Sequence, residues 1–256
     1  MNIVYTYYSD GIVNLDCGFC DVGLFLTCAK KSLRSAVIQE CIDKVKIYTD
    51  EFGMFFLQQR IDWKYVFGDE RAKTKKIDWH LVDYKKLSDD TNYDKFFWNF
   101  PKLSTYTLQE EPFIHIDFDV ILAECFLKNI VESGCDVYTE KIRQLDFRPQ
   151  FLSEFDTDGK ELKDIICSGL IGGGNKSFPV FLENWNKALE YCKFGAKRSD
   201  EKLVYEMLWG IEEYSFTKLV RKNELSVFEV KKGSFVHFQG KNKLERYGQL
   251  IKDIVV

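Results

Sequence analysis

Two carboxylates placed two residues apart are the side chains in this sequence that most clearly predict chemistry. Asp117 and Asp119 lie in the run Phe113–Leu122, which predicts an apolar strand, buried inside a sheet, that ends in these two carboxylates. Side chains two positions apart on a strand project to the same side. Such carboxylates repel each other unless a cation or several donors hold them, and Mg²⁺ and Mn²⁺ prefer oxygen ligands. The pair predicts a metal site that holds a diphosphate; a turn that the aspartates merely cap is the competing interpretation.

A second polar group lies about 120 residues later, where a short apolar strand opens into a glycine turn. His237 can offer a neutral nitrogen to a metal, Gly240 a backbone N–H, and Lys243 a positive charge. Residues 231–246 include five basic side chains and one acidic side chain, a balance that suits a diphosphate. Alone, such a run is also typical of a solvated loop.

These motifs, in this order, resemble those of the GT-A glycosyltransferases, which are nucleotide-sugar-dependent enzymes with a Rossmann-like domain. The family's D-x-D motif matches Asp117–Asp119, and its H-x-x-G-x-x-K motif matches His237–Lys243. The second motif is typical of retaining, glycogenin-like and galactosyltransferase-like members (family 8 type). The family's small-residue strand is similar to Cys167–Leu170. Cys167 replaces its usual Asn, and Leu244–Glu245 replaces the Pro-Trp that commonly follows the motif lysine.

The resemblance implies a role for each matching residue. Asp117 would contact the ribose or the metal, and Asp119 and His237 would coordinate Mn²⁺ or Mg²⁺ together with the diphosphate oxygens. Gly240 and Lys243 would stabilise the leaving nucleoside diphosphate. The implied reaction moves a sugar from a nucleotide-diphospho-sugar, with UDP as the expected nucleotide, to a glycan, a lipid-linked acceptor or another hydroxyl. Retention of configuration and a hexosyl group are expected.

Further candidates follow from their positions in the chain. Asp50, at the end of the second strand, resembles the acidic residue that often reads the base or ribose, while Ser168 and Gly169 lie in the small-residue strand and are expected to bind substrate. Asp200 and Glu201 are the candidate catalytic residues that would orient the acceptor or shield the sugar cation. Both also suit the first turn of a helix for electrostatic reasons alone.

Alternating strands and helices would position these residues. Strands are predicted at residues 3–8, Lys44–Asp50 and Asp62–Phe67, with helices at residues 21–37 and 51–60 between them. Such alternation favours a parallel sheet with right-handed crossovers.

Loops at the carboxyl ends of such strands line the ligand crevice. Tyr7, Tyr8 and Ser9 are therefore candidates to bind the nucleotide, although both tyrosines equally fit a plain strand. Lys102 is a further candidate for the cleft, or else a solvated lysine. It follows Pro101, which is expected to interrupt or restart an aromatic-rich helix.

The second half of the chain is predicted to hold a long loop at residues 143–164, followed by the apolar strand Ile165–Asn175. Helices are expected at Phe178–Lys193 and Asp200–Glu213. The whole chain is predicted to be α/β: one GT-A domain with a mixed, mostly parallel central sheet flanked by helices. Residues 1–122 would form the nucleotide-sugar-binding half, and residues 123–256 the acceptor-binding half with the diphosphate loop.

Bulk properties narrow the class of protein. The net charge of −4 gives no general attraction to nucleic acid or membranes, and no apolar run is long enough to span a bilayer. The N-terminus lacks the pattern of a signal peptide, so we expect a cytoplasmic protein, at most peripheral at the inner face of a membrane. Its eight cysteines are then expected to be reduced.

Three other interpretations remain open at this stage. Cys17 and Cys20 form a C-x-x-C, which could be a redox pair or half of a zinc site, although no second C-x-x-C is present. The acidic pair could serve a metal-dependent phosphohydrolase. The chain could also be a binding module for nucleotide-sugars without catalytic activity.

Overall fold

The computed structural model describes residues 1–9, 22–72, 75–87, 99–144, 162, 164–196, 201–230 and 235–237. The chain forms two compact units. Unit 1 is built from residues 1–82, 113–134 and 230–256, and unit 2 from residues 83–112 and 135–229. The predicted halves that meet at residue 122 divide the chain by role, and that division stays a prediction.

Unit 1 contains a parallel sheet in the order β4-β1-β2-β3, and β5 and β11 form an antiparallel pair. Its strands are β1 (Asn2–Tyr7), β2 (Lys44–Thr49), β3 (Ile77–Leu81), β4 (Phe113–Ile116), β5 (Val120–Leu122) and β11 (Phe235–His237). Its helices are α1 (Val22–Val37), α2 (Glu51–Arg60), α3 (Trp63–Val66) and α6 (Phe126–Ser133), with a 3₁₀ turn at Glu70–Ala72.

Helix α1 is amphipathic and buries the side of the helix that carries Leu24, Cys28 and Leu33. A buried hydrogen bond of 3.0 Å joins Tyr5 Oη of β1 to Ser32 Oγ of α1. The apolar strand and the apolar side of the helix therefore share one core, as period-2 and period-3.6 patterns require.

Unit 2 contains five described strands. Three lie in the order β10-β6-β9, in which β6 and β9 are antiparallel and β10 and β6 parallel, while β7 and β8 form an antiparallel pair. Its strands are β6 (Val137–Thr139), β7 (Ile142–Gln144), β8 (Asp164–Ile166), β9 (Leu170–Gly173) and β10 (Val227–Glu229). Its helices are α4 (Tyr84–Leu87), α5 (Asn99–Thr107), α7 (Phe178–Ala196) and α8 (Glu201–Lys222).

Aromatic side chains join the three long helices of unit 2. Trp185 of α7 lies 4.9 Å from the ring of Tyr106 of α5 and 5.6 Å from that of Phe216 of α8, measured between ring centroids. Large aromatic rings dominate core energetics because each buries much apolar area. The strand directions and the helices of the two units together confirm the predicted mixed α/β class, with mostly parallel central strands flanked by helices.

The prediction of a third strand at Asp62–Phe67 is wrong. These residues form the short helix α3, because the Asp62 carboxylate accepts a hydrogen bond of 3.1 Å from Tyr65 N and caps the turn. The third strand is β3, which pairs with β2 along its full length. β3 alternates apolar and polar residues, but it is short and lies within a charged stretch of the sequence, which concealed it.

Pro101 lies in the first turn of α5, which begins at Asn99 in the described residues, and a proline there removes no intrahelical hydrogen bond. This position fits the prediction that Pro101 restarts a helix. One helix prediction changes. Helix α8 runs past the predicted end at Glu213 to Lys222. The predicted strand Ile165–Asn175, which small residues were expected to break, is two strands, β8 and β9, separated by residues 167–169.

The described cysteines form no disulfide; they are Cys28, Cys41, Cys125, Cys135, Cys167 and Cys192. Their predicted reduced state stays a prediction. Cys17 and Cys20 lie outside the described residues. Among the described helices, none combines the length and apolar character needed to cross a membrane.

Candidate metal centre

Asp117 and Asp119 lie on a turn that follows strand β4. Strand β4 ends at Ile116, β5 begins at Val120, and Val120 N donates a hydrogen bond of 2.9 Å to Asp117 O across the turn. The prediction of a buried strand that ends at the two carboxylates is therefore confirmed. Turn residues often combine a short polar side chain with such a backbone hydrogen bond, so the competing turn interpretation is right about the backbone.

Phe118, the residue between the two aspartates, anchors this turn in the core. Its ring centroid lies 4.8 Å from that of Tyr5, 5.9 Å from that of Phe25 and 6.1 Å from that of Tyr7. Edge-to-face and tilted aromatic pairs of this kind are favourable beyond the area they bury. The buried ring holds the turn and thereby limits where the carboxylates on either side can lie.

Strand β11 brings His237 to the same turn. It pairs with β5 in antiparallel register, with His237 opposite Val120, so the histidine lies beside Asp119. His237 Nε2 is 3.4 Å from Asp119 Oδ1. Val236, the neighbouring residue, packs against the buried cluster of Leu24, Cys28 and Ile121. An apolar contact and a short ladder thus position a residue that is far away in the sequence.

Together these residues form a group that could hold a metal ion. One ligand atom from each of Asp117, Asp119 and His237 lies within 4.8 Å of the others. Asp119 is 6% exposed, and Asp117 is half-buried. Carboxylate oxygens and an imidazole nitrogen suit Mn²⁺ and Mg²⁺ as well as other divalent cations. The predicted ligand set therefore fits a divalent metal by its chemistry.

Asp50 and Ser9 lie at the carboxyl ends of β2 and β1, which run side by side. Asp50 Oδ1 accepts a hydrogen bond of 2.6 Å from Gly53 N, and Oδ2 accepts bonds of 2.8 Å from Ser9 Oγ and 3.2 Å from Ser9 N. Asp50 thus caps α2 and ties the end of β1 to it. Tyr7 is buried and stacks 6.0 Å from Phe56, and Tyr8 is half-buried.

The remaining described candidates belong to unit 2. Lys102 Nζ donates a hydrogen bond of 2.9 Å to Ser168 O and lies 3.2 Å from Glu212 Oε1. Ser168 N donates to Glu213 Oε1 at 3.2 Å. Charged side chains therefore hold both backbone polar groups of Ser168. Gly169 follows it and is buried.

Glu212 is a residue that the sequence analysis missed. It is buried, and Tyr106 Oη donates a hydrogen bond of 2.5 Å to its Oε1. Burial raises the pKa of the Glu212 carboxyl, while Lys102 and Tyr106 oppose that increase. A signal was present in the sequence, since Glu212 stands between the apolar residues of α8 on its buried side.

The structure does not describe three of the predicted residues, and of a fourth it describes only the backbone. Gly240, Lys243 and Asp200 lie outside the described residues. Glu201 is the first residue of α8, but its side chain is not described. Their predicted roles in binding the diphosphate and orienting the acceptor stay predictions.

This chain matches one family profile by sequence, and it is similar in fold to several solved structures. The profile of the family described as "Family of unknown function (DUF6734)" matches residues 1–251. No curated protein matches the sequence. Among solved structures, the apo WbbM bifunctional glycosyltransferase has a TM-score of 0.50 at 8% identity, covering 94% of this chain and 46% of its own.

Two further solved structures align over most of both chains. Apo mouse xyloside xylosyltransferase 1 has a TM-score of 0.46 at 9% identity, over 90% of this chain and 86% of its own. The 4-diphosphocytidyl-2C-methyl-D-erythritol synthase of Anaerococcus prevotii has a TM-score of 0.49 at 9% identity, over 98% and 97%. At such low identities, similarity to solved structures concerns the fold alone.

Proposed function

This chain belongs to the family of unknown function DUF6734, and we propose that it is a metal-dependent glycosyltransferase of the GT-A type. The donor is a nucleotide-diphospho-sugar, with UDP as the nucleotide, and the acceptor is a hydroxyl of a glycan or a lipid-linked molecule. One observation carries the proposal. Asp117, Asp119 and His237 offer ligand atoms within 4.8 Å of one another, although the histidine is about 120 residues away in sequence.

Each residue of the centre then has a role in binding. Asp119 and His237 hold the divalent cation, Mn²⁺ or Mg²⁺, and Asp117 holds the cation or the ribose. When bound, the cation neutralises charge on the leaving diphosphate. Gly240 and Lys243 add a backbone N–H and a positive charge to the same diphosphate.

Other residues orient the donor and the acceptor. Tyr7, Tyr8, Ser9 and Asp50 line the nucleotide, with Asp50 also fixing the end of β1 through its hydrogen bonds to Ser9. Holding the donor and the acceptor in the right orientation supplies a large part of an enzyme's rate enhancement.

Further residues are assigned to the sugar and the acceptor. Lys102, Ser168 and Gly169 bind the sugar, whereas Asp200 and Glu201 orient the acceptor hydroxyl or shield the sugar cation. The resemblance to family 8-type enzymes supports a hexosyl group and retention of configuration. We also propose a cytoplasmic location, at most peripheral at the inner face of a membrane.

Asp119→Asn tests this function. The substitution removes the charge of a proposed metal ligand with little change in shape, so Mn²⁺-dependent hydrolysis of UDP-sugars should fall by about 100-fold or more. Asp62→Asn is the matched control, because it makes the same chemical change at a helix cap of α3 and should retain wild-type turnover. Release of UDP from a panel of UDP-sugars is the measurement, and wild-type turnover in Asp119→Asn would refute the ligand role.

Two further measurements test the alternative functions, which are a metal-dependent phosphohydrolase and a binding module without catalytic activity. Mn²⁺-dependent hydrolysis of p-nitrophenyl phosphate, with UDP-sugars left intact, would indicate a phosphohydrolase. Binding of Mn²⁺ and UDP without turnover of any nucleotide-sugar in the panel would indicate a binding module.

A further inference from the structure

A buried histidine precedes the candidate metal ligand Asp117 by two residues, and the proposed reaction does not use it. The His115 side chain on β4 is 1% exposed. Its Nε2 lies 3.1 Å from Thr6 Oγ1 on the adjacent strand β1. Its Nδ1 lies 3.7 Å from Asp117 Oδ1. The three side chains thus form a continuous row from inside the sheet to the candidate metal centre.

The strand register explains this row. β1 and β4 are parallel neighbours in which Val4 pairs with His115. Thr6 lies two residues beyond Val4 on β1, so its side chain lies on the same side of the sheet as those of Val4 and His115. Asp117 lies two residues beyond His115, on the turn that directly follows β4. Ile114 and Ile116, the neighbours of His115 on β4, are fully buried, as expected for apolar side chains on the opposite face of the sheet.

The tautomer of His115 sets the direction of its hydrogen bond with Thr6. In the tautomer that suits the proposal, the Thr6 hydroxyl donates to Nε2 and the ring proton lies on Nδ1, the nitrogen nearer to Asp117. At 3.7 Å the contact with Asp117 is longer than a hydrogen bond, so it acts as an oriented electrostatic attraction. Carboxylates that bind metals are commonly oriented by such outer partners, and loss of a partner weakens metal affinity about 10–100-fold.

We propose that Thr6 and His115 are positioning residues that orient Asp117 for binding the metal. Thr6 fixes the ring of His115, and His115 fixes the carboxylate. The inference rests on the proposed function, because it requires that Asp117, Asp119 and His237 hold a divalent cation. A buried histidine that merely fills the core is the competing explanation, and it predicts lower stability without any change in metal affinity.

Mn²⁺ affinity of the full chain tests the proposal, measured from the electron paramagnetic resonance signal of free Mn²⁺ with no nucleotide present. His115→Phe keeps the ring volume and removes both nitrogens, so the dissociation constant for Mn²⁺ should rise about tenfold. Thr6→Val removes the hydroxyl at constant shape and should raise it less. The double variant should bind Mn²⁺ no more weakly than His115→Phe, because Thr6 acts through His115.

Ser32→Ala is the matched control, since it also removes a buried hydroxyl that bonds to β1, through Tyr5. It should lower the melting temperature and leave Mn²⁺ affinity unchanged. If His115→Phe fails to fold, the Mn²⁺ affinity of Thr6→Val still tests whether the row positions Asp117. Wild-type Mn²⁺ affinity in Thr6→Val and His115→Phe, alongside lost binding in Asp119→Asn, would overturn the positioning role alone. Unchanged binding in Asp119→Asn, or none in the wild type, would overturn the metal centre itself.

Discussion

At the scale of single residues, the buried pair Lys102–Glu212 shows how unit 2 holds charge in its core. Both side chains are almost fully buried, at 11% and 2% exposure. Removing one partner of a buried pair leaves an uncompensated charge, which is costly. Lys102 also holds Ser168 O, so the pair connects core stability to a backbone segment assigned to the substrate.

Lys102→Met should therefore destabilise the protein in a pH-dependent way. At pH 8 the cost should be about 3–5 kcal/mol in the free energy of unfolding. The pKa of Glu212 is raised in the folded state, so its proton-linked contribution is complete below its unfolded pKa and is lost as the pH rises through the folded pKa. Loss of the lysine raises that folded pKa further, so the cost should be smaller at pH 5. Urea unfolding at the two pH values measures both.

A surface pair supplies the control for this prediction. Lys187→Met disrupts the exposed pair that Lys187 forms with Glu183 on α7, and exposed pairs contribute little. Its effect should be small at both pH values. The double variant Lys102→Met/Glu212→Gln should lose the pH dependence of the Lys102→Met cost. If Lys102→Met lowered the free energy of unfolding equally at pH 5 and pH 8, the result would contradict an ion pair between Lys102 and an ionised Glu212 at pH 8.

At the scale of elements, short strands and tight contacts position the candidate site residues. Strands β5 and β11 have three residues each, too few for a clear periodic signal in the sequence. Their pairing nevertheless brings His237 to Asp119. In unit 2, the close approach of β9 to α7 depends on a missing side chain at Gly173.

Gly173→Ala should destabilise the protein, and Gly174→Ala should not. A Cβ atom at Gly173 would lie 2.1 Å from Phe181 Cε2 and 2.5 Å from Ser177 Oγ, whereas the nearest atom to one at Gly174 is Tyr138 Oη at 3.6 Å. Overpacking of this kind costs about 1–3 kcal/mol, while a compatible Gly→Ala exchange is neutral or stabilising by about 0.4–1 kcal/mol. Equal unfolding free energies for the two variants would contradict the close packing of β9 on α7.

At the scale of the whole molecule, the chain leaves and re-enters each unit. Unit 1 is assembled from three separate segments of the sequence, and the candidate metal ligands come from two of them. A bound metal and nucleotide would therefore connect segments that unfolding separates. Ligands that bind only the folded state stabilise it in proportion to the logarithm of their concentration.

Mn²⁺ and UDP together should raise the melting temperature far more than either alone. At 100 times the dissociation constant a ligand stabilises by about 2.7 kcal/mol, which corresponds to about 5–10 °C for a chain of this length. Thermal unfolding with Mn²⁺, UDP, both or neither is the measurement, and Asp119→Asn should abolish the synergy. A shift with both ligands equal to the sum of the separate shifts would count against a joint metal–diphosphate site.

The sequence by itself determined the class of the fold and the types of residue in the candidate centre. Alternating strand and helix patterns indicated a mostly parallel α/β sheet, and Asp117, Asp119 and His237 were identified by residue type and motif spacing. Both signals are local or additive along the chain, so periodicity and spacing suffice to read them.

Only the tertiary structure decided how those residues meet. The aspartates lie on a turn anchored by Phe118, and His237 reaches them through the pairing of β11 with β5. The third strand is β3, and not the predicted strand at residues 62–67. The partners Thr6 and His115 were likewise invisible in the sequence, because the register of β1 against β4 aligns them. Long-range strand pairing depends on which surfaces are buried together, and local sequence patterns do not encode that.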